Sequence, residues 1–196
     1  MEINSTEEFV NFIGSYHVKV KTLIGERHAL ITNANIGDMP IWDFDWISLW
    51  RNTGFDYQNI VRITCDNILW GLLRYSIFPI SESQNVLEIE QLEAHPKSRG
   101  TIDNRLVEPV GKWLIWYASQ VALYYCPCND SDDLLLLSSL TDAFDYYRDV
   151  IKLDHIGNAP GVSGEDLYAF RFTRQQATEF CRNHEQQWGK PLRINS

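Results

Sequence analysis

Apolar and polar positions alternate along residues 87–94, but the alternation slips in the middle. In Leu87-Glu88-Ile89-Glu90 the apolar residues are odd-numbered, and in Leu92-Glu93-Ala94-His95 they are even-numbered. A strand sends successive side chains to opposite faces, so a slip at Glu90-Gln91 means one extra residue, a β-bulge, or else a strand end fraying into the following loop. Other segments keep a cleaner period. Residues 17–24, 60–65, 68–78 and 167–172 read as strands, and Asp66-Asn67 suits the positive φ of a tight hairpin. Residues 134–137, all leucine, are apolar on both faces, as in a central parallel strand covered on both sides.

Helical spacing appears elsewhere. Ser5 or Thr6 can cap a short opening helix carrying Phe9, Val10, Phe12 and Ile13. Trp42, Trp46 and Trp50 share one face of a predicted helix over residues 42–50. Over residues 107–125, Val107, Val110, Leu114, Tyr117, Ala118 and Val121 form one buried stripe, with Pro109 in the first turn. Ser139 is placed to cap a further helix whose buried face is Leu140, Ala143, Phe144, Tyr147, Val150 and Ile151. Gly157, Pro160, Gly161 and Gly164 mark a loop, and Thr173 with Gln176 opens a terminal helix through a capping box. Strand, helix, strand and helix make a βαβα unit whose strands run parallel through a right-handed crossover. The fold class is α/β (mixed α+β), a mixed central sheet with helices on both faces.

Composition narrows the function. At 196 residues and 44% hydrophobic content, the chain can bury one core, and residues 1–196 read as a single domain. A formal charge of −9 repels a phosphate backbone, which argues against a nucleic-acid partner. Lys97, Arg99, Arg105 and Lys112 nevertheless form a local basic stretch that could meet a small anion. The longest apolar run, residues 113–126, contains Ser119 and Gln120 and is too short to span a bilayer, and Glu2, Glu7 and Glu8 leave no secretory signal. Cys65, Cys126, Cys128 and Cys181 lack zinc-site spacing and the histidines are scattered, so the expectation is reduced thiols, a cytoplasmic location and no metal site. Gly161-Val162-Ser163-Gly164 lacks the last glycine of a nucleophile elbow, and Asp132-Asp133 reads as a solvated pair.

Three stretches resemble the GNAT superfamily of N-acetyltransferases. The strand ending LEAHP matches a bulged fourth strand at Leu92, Ala94 and Pro96; PVGKWLIWYAS resembles the start of the helix that holds coenzyme A pyrophosphate; and Ala143, Tyr146 and Tyr147 match an A-x-x-F-Y pattern. The likeness begins near Trp42, leaving residues 1–41 as an N-terminal part. It implies a GNAT-like sheet with a splayed parallel strand pair, and acetyl-CoA as cosubstrate. The implied reaction moves acetyl to a primary amine of a small molecule or peptide. The implied cofactor contacts are Leu92, Glu93, Ala94, Lys97, Arg99, Arg105, Val110, Gly111, Lys112 and Tyr147. A carboxylate on the bulged strand suits a general base: Glu90 first, because it adjoins the bulge, with Glu93, Glu88 and His95 as alternatives. Tyr147 is the implied thiolate partner. Ile102 and Pro109 stand where the family pattern has glycine, Pro109 removes a donor N–H and Glu108 adds a negative charge where a pyrophosphate would sit, so the alternative is a catalytically silent GNAT-fold binding module.

Overall fold

The apolar faces of the alternating segments assemble into one ten-stranded sheet in the computed structural model, which describes residues 11–82, 84–159 and 166–194. The strands are β1 (Ser15–Thr22), β2 (Gly25–Asn33), β3 (Gln58–Cys65), β4 (Ile68–Ser81), β5 (Gln84–Ala94), β6 (Val107–Glu108), β7 (Asp133–Leu140), β8 (Asp154–Ala159), β9 (Leu167–Thr173) and β10 (Leu192–Ile194). They lie in the order β10-β1-β2-β3-β4-β5-β7-β9-β8, and β6 pairs with β1. Neighbours are antiparallel except β5 and β7, the parallel pair that the crossover requires. This is the mixed sheet that the sequence implies. The hairpin at Asp66-Asn67 has φ of 52° and 61°, which the side chains of Asp and Asn tolerate.

Helices cover both faces. Leu72 and Ile60 meet Trp46 of α1 (Trp46–Arg51), while their neighbours Leu73 and Val61 join the large core beneath α2 (Val110–Tyr125). Adjacent strand residues point to opposite faces, so α1 and α2 flank the sheet. The single stripe expected on α2 understates its burial, because Trp113, Ile115, Trp116 and Ala122 are buried as well. The terminal helix α3 (Arg174–Trp188) supplies that second cover through Ala177, Cys181 and His184, and it starts with the expected Thr173–Gln176 capping box. Both indoles facing it are satisfied, Trp113 donating to the Lys19 carbonyl at 2.7 Å and Trp116 to Glu185 at 2.9 Å.

Several boundaries differ from the sequence reading. Helix α1 begins at Trp46 because Asp45 caps it, accepting from the Ser48 N–H, so Trp42 lies ahead of the helix and packs on His95 instead. Val107 and Glu108 pair with Lys21 and Thr22, which makes Pro109 the residue before α2 and not part of its first turn. Ser139 is inside β7 and caps nothing; a 3₁₀ turn (Thr141–Ala143) and a π-helical turn (Tyr146–Ile151) follow, with Leu140 and Val150 exposed. β2, β8 and β10 carry no clear alternation and are seen only in the structure. Of the opening helix, Ser5, Thr6, Phe9 and Val10 lie outside the described residues, as do Pro160, Gly161, Ser163 and Gly164, while Phe12 and Ile13 form no helix and lead irregularly into β1.

Helix α2 seats on β4 at Gly71. A Cβ there would meet Val110 Cγ1 at 2.7 Å, Leu114 Cδ1 at 3.0 Å and the Glu93 carbonyl at 3.2 Å. Gly71→Ala should therefore cost about 1–3 kcal/mol through overpacking, read as a lower urea midpoint with an unchanged slope.

Candidate active site

The β5 ladder contains the extra residue. Tyr75 pairs with Ile89 and Arg74 with Gln91, so Glu90 has no place in the backbone register with β4. On its other side β5 pairs with β7 from Leu87↔Leu135 to Ile89↔Leu137 and no further. β7 continues to Leu140 against β9, and β5 continues to Ala94 against β4. The two parallel strands thus part at the bulge, leaving an edge of β5 without a strand partner among the described residues.

Several side chains converge on this split. Gly111, in the first turn of α2, is so close to Tyr146 that a Cβ would lie 3.1 Å from the phenol oxygen and 4.0 Å from Leu92 Cδ2. Burial, reinforced by neighbouring Tyr147, raises the Tyr146 pKa, so its hydroxyl keeps its proton. Tyr147 packs into the core against Phe170, and burial pushes its hydroxyl up to about 12. Ser139 is buried on β7 beyond the last β5 pair, and its hydroxyl has no partner among the described residues. The α2 N-terminus has no side-chain cap, which leaves the first-turn N–H groups of Val110, Gly111 and Lys112 available to a ligand.

The opposite face of β5 is polar. The Glu90 carboxylate accepts from Gln58 Nε2 at 2.6 Å and pairs with Arg74 Nη1 at 3.1 Å, and Arg74 also reaches Gln91. Gln58 in turn accepts from the Gly54 N–H at 2.7 Å, tying this cluster to the loop after α1. Glu88 is half-buried beside it; desolvation first, and then the Glu90 charge, hold its pKa above the usual carboxylate range. Arg74 and Gln58 were not among the sequence candidates. A lone arginine inside the apolar run 68–78 was the available signal.

Glu93 and Arg99 form a different unit. Glu93 is only 4% exposed, and its oxygens accept from the Asp43 N–H at 2.8 Å, the Phe44 N–H at 3.4 Å, Trp46 Nε1 at 2.6 Å and Arg99 Nη2. Arg99 also pairs with Asp43 and donates to the Ala94 carbonyl. These two residues pin the loop before α1 onto the end of β5. His95 lies between Trp42 and Trp70, and its Nδ1 accepts from the Lys97 N–H at 3.0 Å, so it caps the turn after β5. The Lys97 side chain is exposed, and Arg105 wraps onto the Gly100 carbonyl within charge range of Tyr146. The Lys112 side chain turns toward α3.

Solved structures share this fold. Naa50 from Arabidopsis thaliana, in complex with a bisubstrate analogue CoA-Ac-MVNAL, superposes with a TM-score of 0.53 at 10% identity, over 74% of this chain and 98% of that one. An uncharacterized protein of Bacillus halodurans gives 0.55 at 8% identity, over 85% and 97%. Ribosomal-protein-alanine N-acetyltransferase from Brucella melitensis gives 0.50 at 13% identity, over 73% and 98%. No protein-family model and no curated protein matches the sequence. The chain has the GNAT fold. No helix among the described residues is long and apolar enough to cross a membrane.

Removing the Glu93 carboxylate strands the Trp46 indole, two backbone N–H groups and part of Arg99. Glu93→Ala should cost about 3 kcal/mol or more, seen as a lower melting temperature with red-shifted tryptophan emission. Tyr147→Phe, which keeps the ring, should change stability by less than about 1 kcal/mol.

Proposed function

We propose that this chain is an N-acetyltransferase that uses acetyl-CoA and acts on a primary amine of a small molecule or peptide in the cytoplasm. The observation that carries this reading is the parting of β5 from β7 at Glu90, with Gly111 and Tyr146 meeting across the gap. The residues fit the coenzyme. A β5 edge without a strand partner and an orphaned Ser139 hydroxyl suit the amides of a pantetheine arm, and the uncapped N–H groups of Val110, Gly111 and Lys112, with Arg105 and Lys97 nearby, suit a pyrophosphate. The bound analogue on the Arabidopsis neighbour supports the same choice of cosubstrate. Four free cysteines agree with a reducing compartment.

Acetyl-CoA supplies a thioester whose C–S bond breaks as a C–N bond to the acceptor amine forms. The chain's own groups handle protons and charge. Glu88 takes the proton from the incoming ammonium, since its raised pKa brings it closer to that task than an ordinary carboxylate. Glu90, held by Gln58 and Arg74, is the fixed charge beside it. Tyr146 donates a hydrogen bond to the departing sulfur, which leaves as a thiol by taking up the second proton that the nitrogen sheds as the amide forms, and Tyr147 is the wall behind it. Glu93 acts as a positioning residue. Of the carboxylates considered from sequence, Glu90 was the first choice and Glu88 an alternative; the ion pair with Arg74 is the reason to exchange them.

Glu108 and Pro109 at the start of α2 favour a second reading, in which the fold binds coenzyme or a partner without transfer, because one adds negative charge and the other removes a donor. Calorimetric titration with acetyl-CoA, followed by a turnover assay on amine panels, separates the two. Saturable binding with turnover is expected; binding without turnover selects the second reading, and no binding at millimolar coenzyme removes the acetyltransferase assignment. Glu88→Gln should lower kcat by about 10²-fold or more while leaving the KM for acetyl-CoA in place. Because the base must be deprotonated, wild-type activity should climb with pH along a limb above the ordinary carboxylate range, and Glu88→Gln should lose that limb. A kcat unaffected in Glu88→Gln but lost in Glu90→Gln would return the role to Glu90.

A further inference from the structure

The second polar cleft belongs to α3. This helix runs antiparallel to α2: Arg174 at its start reaches the Cys126 and Leu123 carbonyls at the end of α2, and His184 near its finish lies 4.2 Å from the Trp113 ring in the first turn of α2. Between α3, the end of the π-helical turn and Lys112 lies a cleft of about 270 Å³. It uses the Lys112 side chain but neither Leu92, Gly111 nor Tyr146, and so differs from the slot between β5 and β7.

We propose that this cleft binds a small oxyanion, a phosphate or carboxylate group of a metabolite, between Lys112 and Lys152 with His184 Nε2 as a hydrogen-bond partner. Three observations support it. His184 is 4% exposed, and its Nε2 is buried without a partner among the described residues, although it lines the cleft. Buried polar atoms are rarely left unpaired, because the lost hydration is not repaid. Lys112 and Lys152 form no ion pair among the described residues, and the lining holds two lysines against one carboxylate, Glu179, which already accepts from Gln175. That sign is opposite to the formal charge of −9 on the chain, so general electrostatics would repel an anion that this cleft attracts.

The environment of the groups agrees. Burial, and then Lys112, push the His184 imidazole down to about 3, which keeps the ring uncharged and able to make one hydrogen bond at Nε2. Its ring is held in place by stacking on Phe180 at 5.8 Å. Burial, followed by Arg105, lowers the Lys112 pKa, and an anion alongside would favour its charged form. Gln176 and Asn183 line the same cleft and can donate to further oxygens.

The test is thermal stability of the full chain without coenzyme, titrated with inorganic phosphate and separately with acetate, against sodium chloride at matched ionic strength. Saturable stabilisation by either ion is expected, together with a shift of the His184 ring nitrogens in ¹⁵N NMR. Response to phosphate alone or to acetate alone identifies which kind of metabolite the cleft prefers. Lys152→Met, a change at an exposed position, should weaken that response about tenfold, and His184→Phe should weaken it further. The absence of a saturable response to both ions overturns the proposal. So does a response that survives Lys152→Met yet disappears in Gly111→Val, since that places the ion at the start of α2, on the coenzyme side.

Discussion

Inserting Glu90 between the paired residues Ile89 and Gln91 constrains nearly everything around it. A strand can satisfy two neighbours only while its pleat stays in register with both, and one additional residue takes β5 out of step with β7 while β4 pairs on either side of it, Tyr75 with Ile89 and Arg74 with Gln91. The parting of the two parallel strands is therefore a backbone effect and needs no particular side chain at the gap. It leaves polar backbone along a partly covered edge, a cost that a bound ligand or ordered solvent has to offset.

The bulge sets side-chain parity. Had β5 run as a regular ladder, with Glu90 taking the place opposite Arg74, Glu93 would point into the apolar core beneath α2, and Leu92 would face the loop before α1. With the bulge, Leu92 lies near Gly111, and the Glu93 carboxylate reaches Trp46 and the N–H groups of Asp43 and Phe44. The bulge thus keeps the wall of the slot on one face and the anchor of α1 on the other. Beside that anchor, Gln58, Arg74 and Glu90 make a polar floor joined to the loop after α1, so that loop is tied to the same strand.

Where a local pattern decided the outcome, the sequence was readable. The slip at Glu90-Gln91, the Asp66-Asn67 hairpin and the Thr173–Gln176 box each depend on neighbouring residues alone, and each is present. Elements that depend on distant partners were not readable. Val107 and Glu108 continue a helical pattern in sequence, yet become a strand because β1 offers them an edge. β8 and β10 are mostly exposed, so their composition carries little alternation. The A-x-x-F-Y resemblance implies Tyr147 as the thiolate partner, but the segment forms a π-helical turn, and the tyrosine close to Gly111 is Tyr146. The pairing of Glu90 with Arg74 joins residues on two strands and was visible only once their register was known.

The short strands at the margin of the sheet have a further consequence. The outer side of β1 is divided, β10 covering Ser15 to His17 and β6 covering Lys21 and Thr22. A bare flank of that length invites pairing with another molecule, the usual route to edge-to-edge aggregation. One cover immediately precedes α2 and the other follows α3, so this protection is complete only when both helices are docked. Loosening either helix would thus endanger solubility before it disturbed the centre of the sheet.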